Sequence, residues 1–389
     1  MTRTTFNTIV LGLGAIGSGA LYWLSRRLGG EVLGMEQFEL GHVRGGSQDH
    51  SRIIRLSYHN THYIELAKAA YAAWRELEAD ADESLLVTTG GLDLSPAGAA
   101  IPLDSYTDSM TAAGVPFELL SASETMYRWP QWRLTDDVRV LYQAQSGIAP
   151  AAKCMAAHLR MARANGATIV DTAQVTAITH RPDGVTLTAG GETYSCRHLV
   201  ISAGAWSNQA LAQLGYQLPL TVTKEQVIYF DTANAAEFAP ERFPIWIWMD
   251  DPCYYGFPNY GEPGPKAAQD AGGLETDPDS RTFEPDEAAR ERVYRFVSSH
   301  LPGMGTRPLY LKTCLYTMPP DRDFVLTSLP TAPNVSVCVG AGHAFKFSSL
   351  LGQILSELAL DGATAHDLTP FAIDRPVLLE ENPVRNFMT

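Results

Sequence analysis

The sequence predicts an α/β fold of two interleaved domains, and three observations carry that expectation. A strand, a glycine-rich turn, a helix and a second strand follow one another between Phe6 and Glu36. A hairpin pattern with a returning apolar strand occupies 168–202, as though the same sheet were resumed after an interruption. Between Leu218 and Leu311 the pattern changes to short alternating strand-like pieces broken by Gly and Pro. At 389 residues the chain also exceeds one ordinary core.

The elements follow in order. Phe6 to Leu11 reads as a buried strand, Gly12, Gly14 and Gly17 open a helix that runs to Leu28, and Glu31 to Met35 return as a strand ending at Glu36. Such glycines permit a tight turn and close backbone approach to a pyrophosphate. The helix N-terminus offers amide donors, and Glu36 is placed to bind ribose hydroxyls. The motif alone does not separate FAD from NAD. Tyr63, Ile64, Leu66, Ala67, Ala70, Tyr71, Trp74 and Leu77 recur at helical spacing, a stripe that reads as core.

Pro150 to Ala164, closed by Gly166, forms a further helix. It leads to a strand at Thr168 to Val170, a region around Val175, a turn at Pro182-Asp183-Gly184 and an apolar strand from Arg197 to Ser202. Gln226 to Phe230 and Pro244 to Met249 are strand-like, Pro258 to Gly273 reads as a loop, and Val335 to Val339 with Ser348 to Leu360 forms a last strand and helix. Residues after about Pro370 read as an irregular tail. The expected division is a nucleotide domain at 1–87, 147–218 and 321–372, an antiparallel-sheet substrate domain at 88–146 and 219–320, and a tail at 373–389.

Composition narrows the partners. A formal net charge of −14 argues against nucleic acid and anionic membranes and leaves small molecules. No run of about 18 apolar residues exists. The first strand begins within a few residues of Met1, and no peroxisomal address closes the chain, so a cytoplasmic protein is expected. The five cysteines, Cys154, Cys196, Cys253, Cys314 and Cys338, are scattered without C-x-x-C spacing, suggesting neither a disulfide framework nor a metal site.

Three segments carry the chemistry. Gly45-Gly46-Ser47-Gln48-Asp49-His50-Ser51-Arg52-Ile53-Ile54-Arg55 places two arginines three apart directly after the nucleotide unit. Lys312-Thr313-Cys314-Leu315-Tyr316-Thr317 and Gly340-Ala341-Gly342-His343-Ala344-Phe345-Lys346-Phe347-Ser348-Ser349 follow near the C-terminus. By themselves these residues admit plainer readings: Arg52 and Arg55 as exposed ion-paired arginines on a strand, Cys314 as inert packing, His343 as a satisfied structural histidine and Lys266 as a solvated lysine in a polar loop.

Together, in this order and spacing, the three segments resemble the monomeric sarcosine oxidase and N-methyltryptophan oxidase family, over nearly the whole chain. The resemblance implies a glutathione-reductase-type FAD domain. It implies oxidation of the C–N bond of a secondary N-methyl or N-alkyl amino acid to an imine that hydrolyses, with electrons passing to dioxygen to give hydrogen peroxide. Gly12, Gly14, Gly17, Glu36, Ser47 and Val175 would then hold FAD, with Arg52, Gly342, Phe345 and Lys346 nearer the ring and Cys314 attached to it as an 8α-S-cysteinyl link. Arg55 and Lys346 would clamp the substrate carboxylate, Lys266 would activate oxygen, Tyr255 and Tyr316 would wall the pocket, and His343 would hydrogen-bond beside the substrate. A monomer is implied.

Two positions depart from the family pattern. Asp270, four residues after Lys266, stands where sarcosine oxidases have histidine, and Asn60, five residues after Arg55, where they have glutamate. Asp270 facing the pocket would suit a cationic or polyhydroxylated substituent, as in fructosyl amino acid oxidases. That substrate class, a cyclic imino acid such as pipecolate, an NAD-linked dehydrogenase and a flavin electron-transfer subunit are the competing readings.

Overall fold

The computed structural model describes residues 3–305 and 307–386; the last three residues of the expected tail, 387–389, lie outside that range, as do 1, 2 and 306. One sheet of eight strands carries the nucleotide-binding unit. Its order is Val175–Arg181, Gly184–Ala189, Glu192–Ile201, Thr5–Leu11, Val32–Met35 and Thr168–Val170. Ala332–Val339 and Val325–Leu329 add to it through the C-terminal half of Glu192–Ile201. Thr5–Leu11 lies parallel to both of its neighbours, and the strand burial is nearly continuous, as expected for a sheet covered on both faces.

Two helices cover this sheet. Ala15–Leu28 and Ser348–Asp361 pack so closely that a Cβ on Gly19 would lie 2.6 Å from the Ser348 carbonyl oxygen, and one on Gly352 would overlap the Gly19 backbone. The first and last long helices of the chain thus meet backbone to backbone, an approach only glycine permits.

The second sheet has nine strands in the order Leu274–Glu275, Thr221–Asp231, Lys266–Gln269, Tyr254–Phe257, Ile245–Trp248, Gly91–Ser95, Arg139–Gln143 and Glu118–Ser121, with Arg307–Met318 on the free side of Thr221–Asp231. It is antiparallel except where Ile245–Trp248 runs parallel to Gly91–Ser95, a departure from the expected all-antiparallel sheet. The exception joins two strands some 150 residues apart in the chain: Ile245–Trp248 follows Thr221–Asp231 within this sheet and is laid beside the much earlier Gly91–Ser95.

A small third sheet joins Arg52–Ile54, Gly147–Ala149 and Val87–Thr88. Ile148 from this sheet packs with Ile245 and Phe257 of the nine-stranded sheet, and Ile53 flanks them. The run between the two arginines is therefore fixed by strand pairing and by its isoleucines.

Two further expectations need correction. The stretch 258–273 is not all loop: Lys266–Gln269 is a strand paired on both sides, and Lys266 is 1% exposed. Local polarity and glycine content hid it, because the carboxylate that permits its burial lies more than two hundred residues away, at Asp49. The tail is not wholly irregular either. A short helix, Pro376–Leu379, follows Phe371 and Ile373, and Phe371, Ile373 and Leu378 are buried.

Candidate functional site

The two large sheets meet at a cleft of about 550 Å³, lined by Gly12, Gly14, Glu36, Ser47 and Val175 in one region and by Arg52, Arg55, Tyr255, Tyr316, Gly342, His343, Phe345 and Lys346 in another. Such a volume suits a small organic ligand. The sequence-expected site residues converge here, apart from Gly17, Lys266 and Cys314, which stand just behind the lining.

The nucleotide end is built by absence of side chains. Gly12 has φ +87°, and a Cβ there would sit 2.6 Å from the Ser202 carbonyl oxygen; one on Gly17 would overlap the Gly12 carbonyl oxygen. Ser47 lies across the helix start: its Oγ accepts from the Ala15 amide at 2.9 Å. Glu36 accepts from the Leu13 amide at 2.8 Å and from Phe38 at 3.2 Å. Burial works to raise the Glu36 carboxyl, but these amides and His42 outweigh it and hold it ionised below its ordinary range. A buried carboxylate presented beside a glycine turn and a helix N-terminus fits the ribose and pyrophosphate of a dinucleotide.

At the other end, Arg52 is locked by three carbonyl acceptors, Ser51 (2.9 Å), Gly46 (2.9 Å) and Gln48 (2.6 Å), with its guanidinium 5.8 Å from the Phe345 ring centre. Arg55 is buried and paired with Asp93, Nη1 to Oδ1 2.8 Å, and lies against the rings of Tyr58 and Tyr106. Neither arginine is the exposed strand residue that local sequence allowed. Lys346 donates to the His343 carbonyl at 3.1 Å. Burial pushes its ammonium down to about 7, with Arg55 adding to the effect. His343 donates from Nε2 to the Arg322 carbonyl (3.0 Å) and stacks on Phe324; burial, then Lys346 and Arg322, keep it neutral. A ring so engaged at Nε2 is held as a neutral donor in this state.

Asp270 does line the cleft, but Arg322 holds it: Nη1 to Oδ2 2.8 Å and Nη2 to Oδ1 3.0 Å. The two-point pair engages both oxygens and sets a fixed counter-charge beside the carboxylate that was expected to meet a cationic or polyhydroxylated substituent. Asn60 does not line the cleft; its Oδ1 caps the helix Thr61–Ala81 by accepting from the Tyr63 amide at 2.8 Å. Cys314 lies on Arg307–Met318, where Leu315, Tyr316 and Thr317 line the cleft, and burial pushes its thiol up to about 11, with Arg52 opposing. Glu225, its cross-strand partner, is pushed up to about 7 by burial.

Asp49, Asp93, Arg322 and Tyr229 were missed. One of them left a sequence signal: Asp93 interrupts Gly91-Leu92-Asp93-Leu94, and an acid inside an apolar strand requires a buried cation. Among the described residues no group of three or more His, Cys, Asp or Glu could hold a metal, and no helix is long and apolar enough to cross a membrane.

This combination of a parallel sheet with a glycine turn and acidic strand end, opened onto a second sheet bearing fixed cations, defines a dinucleotide-dependent oxidoreductase. The chain belongs to the FAD dependent oxidoreductase family (DAO), which residues 7–358 match. Within it the chain is of the sarcosine oxidase type. It is 33% identical over 386 residues to monomeric sarcosine oxidase of Streptomyces avermitilis, covering 94% of this chain and 97% of the relative. N-methyl-L-tryptophan oxidase of Salmonella arizonae is 30% identical over 375 residues, 95% of this chain and 99% of that one. Among solved structures, the open form of NikD, described as an unusual amino acid oxidase essential for nikkomycin biosynthesis, superposes with a TM-score of 0.85 at 26% identity over 95% of this chain and 98% of that one.

Proposed function

We propose that the protein oxidises the C–N bond of a secondary N-alkyl amino acid, with dioxygen as oxidant. The amine loses two electrons and two protons to become an imine, water splits the imine into a carbonyl compound and a smaller amine, and dioxygen takes up the two electrons and two protons and leaves as hydrogen peroxide. Bound FAD supplies the two-electron acceptor. The observation that carries the reading is the cluster of Arg52, Arg55 and Lys346 around one end of a dinucleotide cleft, suited to a carboxylate held beside a redox ring.

In this reading Arg55 and Lys346 bind the substrate carboxylate and so orient the carbon that gives up its hydrogen. Lys346 does this as a cation, the form that a bound carboxylate favours against the effect of burial. Tyr255 and Tyr316 exclude water, His343 offers Nδ1 as a hydrogen-bond acceptor beside the substrate, and Lys266 provides positive charge for oxygen reduction. Gly12, Gly14, Gly17, Glu36, Ser47 and Val175 hold the nucleotide, Gly342 and Phe345 the ring. The wall formed by Asp270 and Arg322 is internally neutralised, which favours an uncharged or zwitterionic N-substituent over a strongly cationic one. The enzyme works as a monomer in the cytoplasm.

The test is an anaerobic absorbance titration with N-methyl, cyclic and fructosyl amino acids. Bleaching of the oxidised flavin band by N-methyl amino acids alone is expected. Bleaching only by a fructosyl or cyclic compound moves the substrate class, and no bleaching by any removes the amine oxidase reading.

Cys314 is proposed to carry FAD covalently. Acid precipitation of the wild-type protein is then expected to leave yellow colour in the pellet, whereas Cys314→Ser releases it all to the supernatant. Colour in the wild-type supernatant would exclude the link.

A further inference from the structure

Asp49 is a buried carboxylate with a hydroxyl and three cations around it. Its Oδ2 accepts from Lys266 Nζ at 2.9 Å and its Oδ1 from the Tyr229 hydroxyl at 2.8 Å. Arg52 stands 3.8 Å and Lys312 3.6 Å away. These partners come from the arginine-bearing loop and from three strands of the nine-stranded sheet: Lys266–Gln269, Thr221–Asp231 and Arg307–Met318. The backbone at Asp49 has φ +93°, a conformation that costs a non-glycine residue energy and persists only where its surroundings enforce it.

Lys266 is as confined as its partner. It is 1% exposed, and Nζ donates to the Ser51 carbonyl at 3.0 Å and lies 4.1 Å from the Phe257 ring centre and 5.5 Å from that of Tyr229. Ser51, Arg52 and Phe257 line the cleft, so the ammonium sits one layer behind its wall. A buried lysine with no anion would shed its proton, because the charged form is the one that burial penalises. Here Arg52 works in the same direction as burial, and Cys314 and Tyr229 are neutral at ordinary pH. Asp49 is the carboxylate in hydrogen-bonding contact with Lys266. Burial, with Arg52 adding to it, pushes Lys266 down to about 8 even with this carboxylate opposing. Burial would raise Asp49, but Lys266 and Arg52 outweigh it and hold the carboxyl far below its usual range.

We propose that Asp49 is a positioning residue that keeps Lys266 a fixed cation against the flavin-facing wall, so that oxygen reduction depends on a carboxylate–ammonium pair and not on a lysine alone. The inference rests on the oxidase reading for its consequence, though the pairing itself is measurable without oxygen. It separates Asp49 from a residue that merely docks the loop onto the sheet, because docking predicts no change in any protonation.

The experiment uses flavin-loaded wild type, Asp49→Asn, Asp49→Gly and Lys266→Met. Asp49→Gly relieves the left-handed backbone and guards against simple misfolding. The oxidised flavin band is followed against pH, and reoxidation of the anaerobically reduced protein is followed after mixing with oxygenated buffer. In wild type a spectral transition is expected near pH 8, the point to which Lys266 is shifted. Lys266→Met should abolish it, and both Asp49 variants should move it down by about one unit or more, as expected for loss of an adjacent opposite charge. Their reoxidation at neutral pH should slow on the order of tenfold and recover on acidification, which re-protonates the lysine. An unchanged transition and an unchanged reoxidation profile in both Asp49 variants would overturn the proposal. If the transition moves as expected but reduced wild type ignores oxygen, the pairing stands and the oxidase reading falls.

Discussion

Arg55→Met is expected to destabilise the protein by about 3–5 kcal/mol and to lower kcat/KM by roughly a hundredfold, mostly through KM. The stability loss follows from Asp93. Its carboxylate is 3% exposed and 2.8 Å from Arg55 Nη1, and burial raises it while Arg55 draws it back; without the guanidinium an anion is left in a protein interior. The kinetic loss follows from the proposed carboxylate clamp. The two effects separate in the double variant Arg55→Met/Asp93→Leu, which should recover most of the thermal midpoint of the holoprotein and none of the KM. If the single variant loses stability with KM unchanged, Arg55 is only the counter-ion of Asp93 and the clamp rests on Lys346.

Gly17→Ala is expected to yield colourless protein. The new methyl group would overlap the Gly12 carbonyl oxygen and crowd Ser202, so the turn that presents amides to a pyrophosphate must open. Overpacking of this kind costs about 1–3 kcal/mol or more, applied where the ligand binds. A thermal melt of the same variant is the control, because it tells loss of the cofactor site from loss of the fold. The ratio of flavin to protein absorbance after purification decides the matter. Full flavin in Gly17→Ala would mean that the cofactor does not use this helix start.

What the sequence made legible were features whose cause is local. The helix Thr61–Ala81 announced itself by its apolar spacing, and the strand Thr5–Leu11 by Ile9-Val10-Leu11 running straight into a glycine turn. The cations of the site were legible too, because arginines and lysines in fixed spacing are conspicuous. Their counter-ions were not. Asp49 and Asp93 neutralise Lys266 and Arg55 from 217 and 38 residues away in the chain, and in a third pair the carboxylate, Asp270, was legible while its cation, Arg322, 52 residues on, was not. Only tertiary structure brings them together, and the one local clue, an acid within an apolar strand, names a need without naming the partner. The strand Lys266–Gln269 was hidden for the same reason: a lysine can enter a sheet interior only when a distant carboxylate meets it there.

The close contact between Ala15–Leu28 and Ser348–Asp361 bears on how the protein is made. Ribosomal synthesis delivers the glycine turn more than three hundred residues before the helix that packs against its own and the Gly340–Ser349 segment that completes the cleft. Until those residues emerge, the glycine turn waits with one flank of its helix uncovered. A chain halted before Gly340 is therefore expected to be released without FAD, however well its βαβ segment had formed.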